Sequence, residues 1–297
     1  MSAGAVPPTN PTLRAPLVIH DARAPVGIFD SGLGGLSVLR AVRATLPHER
    51  LIYVADSLHA PYGERDDDFI VDRTMAIGEW LVAQGAKALV VACNTATAQS
   101  IALVRERLPI PLVGVEPGVK PAAALSRTRV VGVLATAVTL RSARFQALLD
   151  RYAGDCRFIC QAGHGLVQAV ERCDTSSPAL MALLESYLAP MLDAGADTLV
   201  LGCTHYPFLD RAIRDIAGER LQIVDTSVAI ARQLERLLDV HALRSGTAPP
   251  DALPRFCSTA DGESQRQLAA SLLQLDARVE HVCIPSRRTR LAEPDIV

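Results

Sequence analysis

Aromatic residues make up only 4% of the 297-residue chain, with a single tryptophan. That scarcity argues against a platform on which single-stranded bases would stack. Charge of one sign is also lacking: 30 Lys and Arg stand against 32 Asp and Glu, a net charge of −2. No field therefore favours nucleic acid or an anionic membrane surface. No apolar run approaches the roughly 18–20 residues of a membrane-spanning helix. No Cys-x-x-Cys pair occurs, so neither a redox dithiol nor a common zinc module is spelled out. The cysteines number seven, odd and without repeated spacing, which fits reduced thiols in a cytoplasm. Residues 1–25 hold Pro7, Pro8, Pro11, Pro16 and Pro25 and no continuous apolar core. They read as a flexible extension rather than a signal peptide.

What is present is apolar and periodic. Hydrophobic residues make up 49% of the chain, enough for one large or two modest α/β cores. Ala88 to Ala92 contains no polar residue and is rich in valine, as in a strand buried on both faces. Ile101, Val104 and Leu108 then recur at helical spacing until Pro109. Cys93 thus falls where a strand ends and a helix begins, the edge of an open α/β sheet at which ligands bind. The figure returns at Thr198–His205, where Cys203 follows a second apolar strand 110 residues on. Strands at Val26–Phe29 and Arg129–Leu134 match likewise, with Gly27 and Gly132 lying 105 residues apart. Two related βα units result, each supplying one polar turn and one cysteine loop. Further strands are expected at Leu51–Ala55, Ile110–Val115, Asp155–Cys160 and Leu221–Val224, with Glu116–Pro121 as a connection. Helices are expected over 66–84, 140–153, 178–194 and 228–240. A polar linker at 242–254 leads to a short strand, a helix and a basic end at Arg287, Arg288 and Arg290.

The turn Asp30-Ser31-Gly32-Leu33-Gly34-Gly35 lacks the final glycine of a dinucleotide fingerprint, and no Gly-Lys-Ser/Thr follows it. It is either a plain strand-to-helix turn or a pocket where backbone N–H groups hold a small anion. Pro61-Tyr62-Gly63 is a turn by its chemistry, and a single tyrosine there reads first as packing. Asp66, Asp67 and Asp68 suit the positive end of a helix dipole. Cys156, Cys160, His164 and Cys173 form a loose set without zinc-module spacing, so no metal is expected. A cysteine at a helix N-terminus is expected to have a lowered pKa, although alone it would read as a small buried hydrophobe. Disulfide exchange prefers a closer pair, and acyl transfer needs only one thiol with a histidine base. Inverting a stereocentre needs a base on one face and an acid on the other, roles two thiols can exchange.

Four stretches resemble, in order, those of the cofactor-independent glutamate racemases of bacteria. They are Phe29–Gly35, Pro61-Tyr62-Gly63-Glu64, Ala92-Cys93-Asn94-Thr95-Ala96 and Gly202-Cys203-Thr204-His205. Cys-Asn-Thr and Gly-Cys-Thr also occur in related aspartate racemases, while Asp-Ser-Gly, Pro-Tyr-Gly and Cys-Thr-His together favour glutamate. The resemblance implies an α/β fold of two pseudo-symmetric flavodoxin-like lobes with mainly parallel sheets and the active site in the cleft between them. After the extension 1–25, the first lobe would comprise 26–118 plus 225–297 and the second 119–224. Cys93 and Cys203 would be the acid/base thiols, assisted by Asp30 and His205. Asp30, Ser31, Tyr62, Gly63, Asn94, Thr95, Thr204 and His205 would hold the substrate, with Thr136 and Thr139 as helpers. Glu171 falls where many members carry a glutamate, although Gly163-His164-Gly165 departs from their Cys-Pro pattern. The implied activity interconverts L- and D-glutamate with no cofactor and no metal, supplying D-glutamate for peptidoglycan in the cytoplasm. The implied partner is glutamate, with no nucleic acid and no membrane, and a homodimer is left open. Three other readings stand beside this one. They are an aspartate racemase or related isomerase, a non-catalytic two-lobed amino-acid-binding protein, and a cysteine hydrolase.

Overall fold

The structure, a computed structural model, describes residues 21–246, 253–261, 266, 270 and 278–286. The chain opens with β1 (Val26–Asp30), α1 (Leu36–Thr45), β2 (Leu51–Ala55), α2 (Asp67–Ala83), β3 (Ala88–Val91), α3 (Asn94–Arg107) and β4 (Leu112–Gly114). It continues through α4 (Val119–Leu125), β5 (Val130–Ala135), α5 (Ala137–Arg141), α6 (Ala143–Tyr152), β6 (Arg157–Ala162), α7 (Leu166–Glu171) and α8 (Pro178–Asp193). Then come β7 (Thr198–Gly202), α9 (Asp210–Ala217), β8 (Gln222–Val224), α10 (Ser227–Val240), β9 (Arg255–Ser258) and β10 (Val279–His281).

Two sheets result, ordered β10-β9-β2-β1-β3-β4 and β6-β5-β7-β8, and every pairing in both is parallel. Parallel strands need helices on both faces, which is why β1, β2, β3 and β7 are buried along their whole length. In the first sheet, α1 and α10 cover one face through Leu36, Leu39, Val42, Ile230 and Leu234. The other face is covered by Ile70, Ile77 and Leu81 of α2 and Ile101 and Val104 of α3. The chain leaves this sheet after β4, builds the whole second sheet, and returns with α10. The strand ends carrying β1, β3, β5 and β7 into their loops therefore face one another, the position where open α/β sheets bind ligands.

Local signals account for most boundaries. The Asp66 side chain accepts from the Phe69 amide and so caps α2, and Gly85 ends the following turn at φ +83°. The expected helix over 140–153 is instead α5 and α6, because the Ser142 side chain interrupts the run and caps Phe145. The expected connection Glu116–Pro121 passes into α4, where Pro121 is tolerated in the first turn. The strand expected at 155–160 begins two residues later, as β6, a half-exposed edge strand.

Residues 1–20 of the expected extension, Pro249 and Pro250 of the linker, and Arg287, Arg288 and Arg290 lie outside the described residues. Residues 21–25 form a turn rather than a loose end, since the Ala22 carbonyl accepts from the buried Lys87 ammonium at 2.5 Å. Lys87 also pairs with the buried Glu49 at 2.5 Å, and Glu49 accepts from the Ser245 amide at 2.7 Å. On β9, next to the β10 edge strand, the Arg255 guanidinium lies 5.7 Å over the Trp80 ring.

Candidate active site

The polar turn after β1 converges with the loops that follow β3, β5 and β7. Cys93 caps α3, its sulfur accepting from the Ala96 amide at 3.4 Å while its thiol donates to Ser31 Oγ at 3.4 Å. Only 4% of the residue is exposed. The expected lowering of its pKa by the helix N-terminus is overturned. Burial, followed by the Asp30 charge, pushes the thiol up to about 12, and the contacts with Ser31 and Ala96 oppose this without prevailing.

Asp30, at the end of β1, is fully buried. Its Oδ2 accepts from the Gly32 and Gly35 amides at 3.2 and 3.1 Å, and its Oδ1 accepts from Thr204 Oγ1 at 3.1 Å. Burial raises its pKa above 3.8, although the nearby His205 charge and the two amides pull the other way. The Gly-rich turn is thus not a phosphate cradle. Its amides serve a carboxylate of the chain itself and reach across to the second lobe.

Cys203 follows β7, with its sulfur 3.7 Å from His205 Nδ1. His205 Nε2 lies 2.7 Å from Glu171 Oε1, and the same oxygen accepts from the Leu33 amide at 2.7 Å. Burial opposes charge on the ring, but Cys203 and Glu171 outweigh it and raise its pKa well above 6.5. Burial likewise opposes charge on Glu171, yet His205 and the Leu33 amide hold that carboxyl below its usual range. The Gly34 amide also sits 3.2 Å from Nε2. A charged ring has an N–H there, so the proton goes to Glu171 and the Gly34 amide is a close approach rather than a donor.

A threonine cluster closes the opposite side. Thr95 Oγ1 lies 2.9 Å from Thr136 Oγ1 and 3.4 Å from Thr139 Oγ1, and Thr136 Oγ1 donates to Thr139 Oγ1 at 2.9 Å. It joins the N-terminus of α3 to that of α5. Thr136 also lines a small cleft with Pro61, Gly63 and Glu64 of one lobe and Gly163 and His164 of the other. Asn94 Oδ1 is buried and has no partner among the described residues.

The sequence-expected residues Asp30, Ser31, Cys93, Thr95, Thr204, His205 and Cys203 are therefore brought together, with Glu171, Thr136 and Thr139 beside them. Tyr62 is placed differently from the rest. Only 1% of it is exposed, and its hydroxyl donates to Asp56 at 2.5 Å, leaving the turn's backbone and Gly63 to face the cleft. Asp56 and its partner Arg73 escaped the sequence reading. An arginine lying on the Ile70–Ile77 stripe of a buried helix face is the signal that could have found them.

The chain is similar to known proteins over most of its length. A curated glutamate racemase from Ralstonia nicotianae is 62% identical over 253 residues, covering 85% of this chain and 90% of its own length. The crystal structure of a glutamate racemase from Bacillus anthracis superposes with a TM-score of 0.80 at 30% identity, over 90% of this chain and all of the other. The Escherichia coli glutamate racemase, solved with L-glutamate, gives a TM-score of 0.78 at 32% identity, with coverages of 89% and 100%. Residues 36–234 match the description of one family, and they include both thiols, Glu171 and His205. The chain belongs to the Asp/Glu/Hydantoin racemase family.

Proposed function

We propose that this protein interconverts L- and D-glutamate without a cofactor, using Cys93 and Cys203 as the two acid/base groups. One observation carries the reading: two buried thiols stand at matching strand ends, each with its own polar partners. Ser31 and Asp30 attend Cys93, and His205 and Glu171 attend Cys203. A thiolate on one side removes the α-proton, leaving a planar carbanion, and a thiol on the other returns a proton to the opposite face. The two thiols exchange the roles of base and acid with the direction of turnover.

The hydroxyls of Ser31, Thr95, Thr136, Thr139 and Thr204 suit carboxylates. Asn94 Oδ1 suits an ammonium N–H. Both thiols and all of these groups are at most 8% exposed, so substrate is admitted by parting the lobes. That movement breaks the contacts of Glu171 with Leu33 and of Thr204 with Asp30. Glutamate is favoured over aspartate by the relatives' own activity. The product D-glutamate serves peptidoglycan synthesis, and free cysteines among the described residues support a cytoplasmic setting. The lobes are read as 26–118 plus 225–297 and 119–224, a division supported by the separate sheets.

Circular dichroism of L-glutamate and of D-glutamate with the purified protein tests the proposal. Both signals should decay to zero, with deuterium entering at Cα in D2O. Persistent optical activity of both enantiomers overturns it. Faster decay of aspartate than of glutamate indicates the aspartate isomerase instead, and binding without deuterium exchange indicates a binding protein.

A further inference from the structure

The turn Pro61–Glu64 forms one wall of the cleft, yet it is fastened from behind. On its far side it meets the second lobe: a Cβ on Gly63 would lie 2.9 Å from Thr136 Cβ, and Glu64 Oε1 accepts from Gln168 Nε2 at 2.6 Å. On the near side, the Tyr62 hydroxyl donates to Asp56. Asp56 is fully buried and also accepts from Thr259 Oγ1 at 2.9 Å, and Thr259 Oγ1 takes the Leu58 amide at 3.2 Å. Arg73 grips both oxygens of Asp56, with Nε to Oδ2 at 3.0 Å and Nη2 to Oδ1 at 2.7 Å. Its remaining arm, Nη1, donates to the Ile284 carbonyl at 2.6 Å.

We propose that Arg73 is a positioning residue: through Asp56 it sets the Pro61–Glu64 turn against the second lobe, with Thr259 and Ile284 of the C-terminal segment as abutment. The inference rests on the racemase reading of the cleft. A buried ion pair is a weak source of stability, because desolvating two charges offsets their attraction. What the planar fork supplies is direction. Two parallel N–H bonds fix the plane of the Asp56 carboxylate, His59 Nδ1 lies 2.9 Å from its Oδ1, and the Tyr62 and Thr259 hydroxyls donate to the same fixed oxygens. Lysine at this position would keep the charge and lose the fork.

The test uses the full-length protein and two readouts, hydrogen exchange without ligand and steady-state kinetics with glutamate. In hydrogen exchange, Arg73→Lys should speed the Leu58, Glu64 and Arg65 amides about tenfold while β3 amides stay unchanged. Thr259→Val removes a single hydroxyl and should move the same amides in the same direction, even if the lysine variant folds poorly. In kinetics, Arg73→Lys should raise KM for both glutamate enantiomers about tenfold and alter kcat less than about threefold. Its KM effect should be non-additive with that of Tyr62→Phe, since both act on one chain of contacts. Unchanged exchange at the turn, equal acceleration of β3, or strictly additive KM effects would each overturn the inference. If the turn loosens as expected while the wild type fails to racemise glutamate, the racemase reading falls and the positioning role stands. Normal racemisation with an unmoved turn has the reverse meaning.

Discussion

The Cys93 thiol has Asp30 and Ser31 beside it, whereas Cys203 has an imidazole that is itself held by a carboxylate. One reaction face is therefore built around a protonated thiol and the other around a His–Glu pair. Removing either sulfur should be severe: Cys93→Ala and Cys203→Ala should each lower the racemisation rate by about 10²–10⁴, as measured by polarimetry. Near-normal turnover in one variant would exclude that thiol from the chemistry. Asp30 offers a pH-resolved test. Its folded pKa is raised by burial, so the folded state binds more protons than the unfolded one above pH 3.8. Wild-type stability is then lost as pH climbs from 3.8 through the raised folded value. Asn fits the same contacts, with one amide oxygen for the Gly32 and Gly35 amides and an N–H for Thr204. Asp30→Asn should thus gain stability over wild type as pH rises, the gap closing towards pH 3.8, while activity falls. Urea midpoints across that range check it, and a gap independent of pH would refute the buried-carboxylate cost.

At the scale of elements, the strands were the most legible part of the chain. A strand buried on both faces is uniformly apolar, and β1, β2, β3 and β7 show that run directly. The break between α5 and α6 was hidden because Ser142 is as compatible with an exposed helix face as with a cap. The two thiols were legible because their context is local: strand, cysteine, helix. Contacts such as Leu33 with Glu171, 138 residues apart, leave no local pattern and become visible only when the lobes are assembled. The same contacts explain the glycines of the β1–α1 turn. A Cβ on Gly34 would lie 2.3 Å from His205 Nδ1, and one on Gly32 would lie 2.3 Å from Glu171 Oε1. Gly34→Ala should therefore leave secondary structure intact and lower kcat/KM at least about tenfold, since overpacking of this kind typically costs 1–3 kcal/mol. Gly154→Ala, where nothing lies within 4 Å, is the control and should leave activity unchanged.

For the whole molecule, stability and chemistry draw on different ends of the first sheet. The thiols occupy the loops after the strands, while the Lys87–Glu49 pair lies at the opposite end and joins the segment at Ala22 to that at Ser245. Lys87→Met would strand a buried carboxylate and should cost about 3–5 kcal/mol in urea unfolding. Adding Glu49→Gln, which keeps an acceptor for the Ser245 amide, should recover part of that loss. A loss under about 1 kcal/mol in the single variant would show that the pair is less desolvated than its burial indicates.

Trp80 is the chain's one tryptophan, and the Arg255 guanidinium of β9 stands over its indole. The seating of the β9–β10 pair is consequently written into the intrinsic fluorescence. An emission change that precedes the loss of far-UV dichroism would reveal β9 and β10 leaving β2 together before the rest of the sheet melts, without any attached dye.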